Sequence, residues 1–170
     1  MPPLAIAQSG KALALVCLTD EICVTPPAGA VFKSLATTNP QSPALGRLLD
    51  GEPVYLIQSA RVKAVHKSTQ VLWFDLMQTI KRRRTPDNAS ITDRFTFATQ
   101  SGMPTECRTL ALNEGYNRQA VSYCLVQAPE AYVWLIAVPV ARTRLERYRE
   151  EIKALWESMV MREGKTQSAP

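Results

Sequence analysis

Alternation with a period of two dominates the stretch from Thr105 to Gln127, where TECRTLALNEGYNRQAVSYCLVQ reads as two strands joined by a turn centred in Asn113 to Arg118. That turn places Arg108 opposite Tyr123, Leu110 opposite Val121 and Cys107 opposite Cys124. The two cysteines then share one face, and Leu110, Leu112, Val121, Tyr123 and Leu125 lie on the other. The next segment, Ala131 to Val138, is apolar on both parities and is bounded by Pro129 and Pro139, as a central strand covered on both sides would be. After Pro139 the period lengthens to about three and a half. Leu145, Tyr148, Ile152, Leu155, Trp156 and Met159 form one stripe, which predicts a long C-terminal helix over Thr143 to Met161 packed on the sheet. Thr143 with Glu146 three residues on suits a capping box at its start, and Gly164 suits its stop.

Earlier in the chain, Lys11 to Leu18 and Ile22 to Thr25 make a first hairpin that ends at Pro26, Pro27 and Gly29, and a further strand is expected at Val31 to Ala36. TTNPQSP is loop. Ser42 as N-cap, Pro43 at the first helical position and Gly51 just past the end then enclose an expected short helix, PALGRLLD. Pro53 to His66 is a long strand in which Val54, Leu56, Val62 and Ala64 share a parity while Arg61 and Lys63 face the other way, so one side is expected to be wet. Ser68 or Thr69 caps a helix, TQVLWFDLMQTIKRRR, with Val71, Leu72, Leu76 and Ile80 on its apolar face and a cationic end that complements the helix dipole. Thr85 to Asn88 breaks it, Arg94 to Thr99 resumes strand alternation through Phe95 and Phe97, and Ser101 to Pro104 turns into the main hairpin. The order ββ(β)αβαβββα predicts an α+β fold, a mostly antiparallel β-sheet flanked by helices.

In GMP leading into paired strands, a strongly apolar strand and a terminal helix reading LERYREEIKALWESM, the stretch Gly102 to Met161 resembles the PsbP/Mog1/DcrB-like fold family. Members commonly end in a strand followed by a helix with a serine in its final turn. The remainder of the chain matches only in element order, and the cysteine pairs are no part of the resemblance. The likeness implies a non-enzymatic accessory, adaptor or binding role, since members serve photosystem assembly, transport factors, lipoproteins and secretion-system chaperones.

With 170 residues and 46% hydrophobic content the chain can bury a full core, so residues 11–163 are expected to form a single α+β domain. Residues 164–170 are expected to be a flexible tail, and 1–10 a flexible N-terminal segment. MPPLAIAQSG has no basic residue and too short an apolar run for a complete signal peptide, yet Ala5-Ile6-Ala7 has the small-x-small form of a cleavage site. It reads either as the remnant of a removed signal or as an ordinary irregular start. No apolar run reaches a helical membrane-spanning length.

Cysteine placement says more about compartment. Cys17 and Cys23 flank the short turn LTDEI much as Cys107 and Cys124 flank theirs, which predicts two hairpin bridges, Cys17 to Cys23 and Cys107 to Cys124. Loop-closure entropy gives them roughly 2.4 and 3.2 kcal/mol respectively. Such bonds persist in oxidising compartments, so a periplasmic or secreted location is expected; the alternative is four unpaired thiols in a cytoplasmic protein. The absence of a CxxC argues against a thioredoxin-like redox role.

Candidate chemistry is sparse. His66, the only histidine, has no partner visible in the sequence for a metal site or a nucleophile–base pair. GxSxG, Walker, GxGxxG and HExxH patterns are missing. No catalytic, cofactor-binding or metal residue is therefore expected. The net charge of +5 does not by itself imply nucleic acid. Its densest part, Lys81, Arg82, Arg83 and Arg84, is the candidate partner-binding set; it fits an acidic protein partner or a peripheral contact with an anionic membrane, and Trp73, Phe74 and Tyr55 nearby read as core positions, not as stacking platforms for bases. The expectation is a non-catalytic extracytoplasmic protein-binding accessory, inhibitor or immunity factor of a bacterial secretion or envelope system. The rivals are a basic nucleic-acid-associated protein and an unrecognised hydrolase. Nothing in the sequence sets the oligomeric state.

Overall fold

The computed structural model describes residues 14–35, 43–62, 66–83, 89–114 and 117–162; for 82, 83, 89, 113, 114, 117 and 118 it describes the backbone alone. The expectations for the two termini, for Arg84 and for Thr85 to Asn88 lie outside these residues. In chain order the elements are β1 (Val16–Cys17), β2 (Ile22–Val24), β3 (Val31–Leu35), β4 (Ala44–Leu49), β5 (Glu52–Val62), α1 (Thr69–Arg83), β6 (Ala89–Ala98), β7 (Pro104–Glu114), β8 (Asn117–Gln127), β9 (Tyr132–Pro139), a 3-10 turn over Leu145–Tyr148, α2 (Arg149–Glu157) and β10 (Val160–Met161). Strands β3 to β9 form one antiparallel sheet in the order β3-β4-β5-β9-β8-β7-β6, and β1, β2 and β10 form a small second one. This is the expected α+β architecture with a helix over each face.

The main hairpin has the register that its alternation predicts, with Cys107 against Cys124, Arg108 against Tyr123 and Leu110 against Val121. β9 sits fourth of the seven strands, which explains why it is apolar on both sides. Val133, Leu135 and Ala137 join the core beneath α2, while Trp134 and Ile136 pack beneath α1. Both bridges are present: Cys17 to Cys23, Cα atoms 3.9 Å apart, and Cys107 to Cys124, 4.0 Å apart. Covalent cross-links of this kind form and persist in oxidising surroundings.

Several expectations need correction. PALGRLLD is not a helix but β4, inserted between β3 and β5. Asp50 and Gly51, at φ 52° and 82°, make the two-residue turn that joins β4 to β5, with Leu49 against Glu52; this is Asp-Gly acting as a hairpin signal, not a glycine ending a helix. Gly46 fits the strand for a second reason, since a β-carbon there would lie 2.8 Å from Leu35 Cδ1 across the β3–β4 pair. In β5 the most buried positions are Tyr55, Ile57 and Ser59, the parity of Arg61 and not that of Leu56. The strand lies inside the sheet between β4 and β9, so both its edges are paired, and the face beneath α2 takes the odd positions.

The C-terminal helix is shorter than its stripe. Leu145 to Tyr148 is a 3-10 turn with no side-chain cap, so the Thr143–Glu146 box does not form, and α2 proper ends at Glu157. Ser158 stops it: its hydroxyl accepts from the Thr25 N–H at 2.8 Å and donates to the Leu155 carbonyl at 2.6 Å, tying the chain to the end of β2 before β10 pairs with that strand. The stripe itself is buried as expected, with Leu145, Ile152, Leu155, Trp156 and Met159 in the core. On α1, Leu72, Trp73 and Ile80 are buried under a Ser68 cap, but Val71 and Phe74 face outward, so the core reading of Phe74 fails.

Candidate functional site

Arg149 and Glu151 stand two positions apart at the start of α2 and therefore project from roughly opposite flanks of the helix. On one flank Arg149 Nε donates to Asp93 Oδ2 at 2.6 Å, and its guanidinium lies 4.7 Å from the centre of the Phe95 ring, both partners belonging to β6. On the other flank Glu151 receives Arg47 through two N–H groups, at 2.7 and 3.1 Å, and the Tyr55 hydroxyl at 2.6 Å. Arg47 and Tyr55 are register partners on β4 and β5. The helix is thus clamped, over one face, to strands toward both edges of the sheet.

The inner clamp is nearly dry. Arg47 is 8% exposed and Tyr55 fully buried. Burial by itself would raise the Glu151 carboxyl, but the hydrogen bonds from Arg47 and Tyr55 and the Arg47 charge outweigh it and hold the group below the usual carboxylate range. Burial, followed by the bond to Glu151, pushes the Tyr55 phenol up, and the Arg47 guanidinium is raised chiefly by its hydrogen bond to Glu151. All three groups therefore keep one protonation state at neutral pH. Tyr148 packs on Tyr55 with ring centres 5.3 Å apart, so the 3-10 turn is fixed to the same network.

Between the outer clamp and the sheet runs a groove of about 440 Å³. Thr92, Asp93 and Phe95 of β6, Thr109 of β7 and Ser122 of β8 form its strand side, and Leu145, Glu146, Arg149 and Ile152 form its helix side. Asp93 and Arg149 already pair with each other, Thr92 Oγ1 donates to the Thr109 carbonyl at 3.4 Å, and Glu146 has no ion-pair partner among the described residues. His66, on an exposed turn after β5, does not line it.

The residues singled out from the sequence are scattered. Lys81 is exposed near the end of α1; Arg82 and Arg83 continue that helix, their side chains and all of Arg84 lying outside the described residues. Glu21 is paired with Arg61 at 2.6 Å, and no group of three or more metal-ligating side chains occurs among the described residues. No helix among them is long and apolar enough to cross a membrane. The clamp residues Arg47, Asp93, Arg149 and Glu151 went unread. A signal for Arg47 did exist: once Asp50-Gly51 is taken as a hairpin turn, Arg47 shares a strand face with the core residue Leu45 and must find an anionic partner.

Comparison with known proteins finds the same fold and no sequence relative. No protein-family model matches the chain, and no curated protein matches it. Among solved structures the backbone is PsbP-like, in agreement with the resemblance read from Gly102 to Met161. The cyanobacterial PsbP of Synechocystis sp. PCC 6803, CyanoP, superposes with a TM-score of 0.60 at 11% identity, covering 95% of this chain and all of that one. A Pseudomonas aeruginosa protein of unknown function gives a TM-score of 0.48 at 10% identity, over 88% of this chain and 97% of that one. Identity this low describes the fold alone and transfers no site.

Proposed function

We propose that this protein is a non-catalytic accessory of an oxidising, extracytoplasmic compartment that works by binding another protein, as an accessory, inhibitor or immunity factor of a bacterial secretion or envelope system. One observation carries the binding reading: in the groove between α2 and β6, β7 and β8, the Asp93 and Arg149 charges are neutralised by each other. Asp93 spends an oxygen on Arg149, so it is poised to hold the groove's shape and not to take a proton from a substrate. The two bridges support the compartment. Lys81, with Arg82, Arg83 and Arg84 next in the sequence, is a second candidate surface for a partner carrying acidic groups, an attraction that salt would weaken.

Capture from the extracytoplasmic fraction of the source cells tests this, with wild-type protein and a Thr109→Trp variant as baits. The substitution fills the groove from its strand side. A partner held by wild type and lost with Thr109→Trp is the expected result. Equal capture by both would reject the groove as the interface, and capture lost only on neutralising Lys81 to Arg84 would move it to the end of α1.

A further inference from the structure

Beyond β9 the chain reads VARTRLERYR, three of whose arginines surround one concavity. Val140 to Thr143 is a tight turn, closed by the Thr143 N–H donating to the Val140 carbonyl at 3.0 Å. Ala141 sits there at φ 51°, a left-handed conformation that a residue with a β-carbon disfavours and that the surrounding structure must impose. The turn and the 3-10 segment after it place Arg142, Arg144 and Arg147 around a cavity of about 330 Å³, together with Thr143 and Tyr148. Tyr148 is held by its packing on Tyr55.

What distinguishes these arginines is that they share one cavity whose lining holds no carboxylate. Arg47, Arg61, Arg108 and Arg149 each pair with a carboxylate. Arg142, Arg144 and Arg147 have no ion-pair partner among the described residues. Of the nearby acids, Glu150 pairs with Arg149, and Glu146 lines the groove on the other side of the turn and not this cavity. Three like charges gathered at one cavity repel each other until an anion enters. Guanidinium forks give phosphate oxygens paired, charge-assisted hydrogen bonds, and the Thr143 hydroxyl and Tyr148 phenol are further donors. A lone carboxylate would neutralise only one of the three; a phosphomonoester brings nearly two negative charges and three acceptor oxygens.

We propose that this cavity is a binding site for a phosphomonoester group, carried by a soluble small molecule or by a lipid headgroup. It uses other residues than the groove and stands or falls separately from the protein-binding reading.

The test is a titration of the full chain with inorganic phosphate, followed by amide NMR shifts against sodium chloride of matched ionic strength. It is paired with co-sedimentation on phosphatidylcholine vesicles with and without phosphatidate. Saturable shifts at residues 141–148 are expected, weakened about tenfold or more when Arg142, Arg144 and Arg147 are all changed to Gln and unchanged in Lys81→Gln. These arginines are exposed, so the triple variant should keep the wild-type melting temperature. Retention on phosphatidate vesicles, lost in the triple variant, would assign the phosphate to a lipid; phosphate shifts without vesicle retention would assign it to a soluble ligand. No saturable response to phosphate or phosphatidate, an equal response in the triple variant, or shifts produced only by a polyglutamate peptide would each overturn the proposal.

Discussion

Over one face of the large sheet the covering helix is tied to the strands by ion pairs, and over the other it is held by apolar and aromatic packing. On the α2 side Trp156, Leu155, Ile152 and Met159 press on Tyr55, Ile57, Val133 and Leu135, the Cys107 to Cys124 bridge lies within that core, and ion pairs to Arg47 and Asp93 fix the start of the helix. On the α1 side Leu72 and Trp73 meet Leu125 and Trp134. The two indoles are edge to face at 4.8 Å, the Arg108 guanidinium lies 4.3 Å from the Trp73 ring centre, and Phe74 is left 62% exposed. Apolar contact fixes how much surface is buried but only loosely how a helix is oriented. Charge pairs fix both, and the groove and the arginine cavity lie beside the helix start that they hold.

Breaking that contrast should be costliest at Trp156. Trp156→Ala removes a fully buried indole from the α2 core and should cost about 3 to 5 kcal/mol, read from denaturant unfolding; an unaffected midpoint would remove α2 from the core. Next comes the inner clamp, where Glu151→Ala leaves Arg47 buried without its partner and should cost about 3 kcal/mol. The Cys107→Ala, Cys124→Ala pair should lose about 3 kcal/mol by loop-closure entropy, seen as a lower midpoint under non-reducing conditions. Smallest of all, Phe74→Ser on the outer face of α1 should shift stability by no more than about 0.5 kcal/mol. A large loss there would mean that the α1 side is as tightly specified as the other.

The inner clamp also gives the contrast a pH signature. The fold favours the ionised Glu151, whose folded value lies below its unfolded one. Its contribution is therefore complete above the ordinary glutamate range, about pH 4.3, and is lost as pH falls through the folded value. Wild-type stability should drop more steeply than that of Glu151→Gln as pH is lowered through this region. Parallel curves would mean that Arg47 and Tyr55 do not stabilise the carboxylate.

Where one face of an element is buried and its register is set by a turn, the sequence was readable: the main hairpin, β9 and the α2 stripe follow from alternation and period alone. β4 was misread because Ser42-Pro43 and Gly51 imitate helix boundaries, while the information that decides, the left-handed pair Asp50-Gly51, is two residues long. Misplacing β4 hid Arg47, and with it the clamp. The groove was illegible for another reason. Asp93, Thr109, Ser122 and Arg149 come from four elements, and no local pattern announces that a sheet brings them together. Phe74 satisfied a helical apolar pattern and still faces solvent, because the α1 footprint is filled by Leu72, Trp73 and Ile80.

The central claim is that recognition takes place on the directionally clamped side of the sheet. Site-specific photo-crosslinking in the native compartment tests it, with benzoylphenylalanine installed in separate variants at Thr92, on the strand side of the groove, and at Phe74, on the outer face of α1. A discrete protein adduct from Thr92 and none from Phe74 is the expected result; an adduct from Phe74 alone would contradict it.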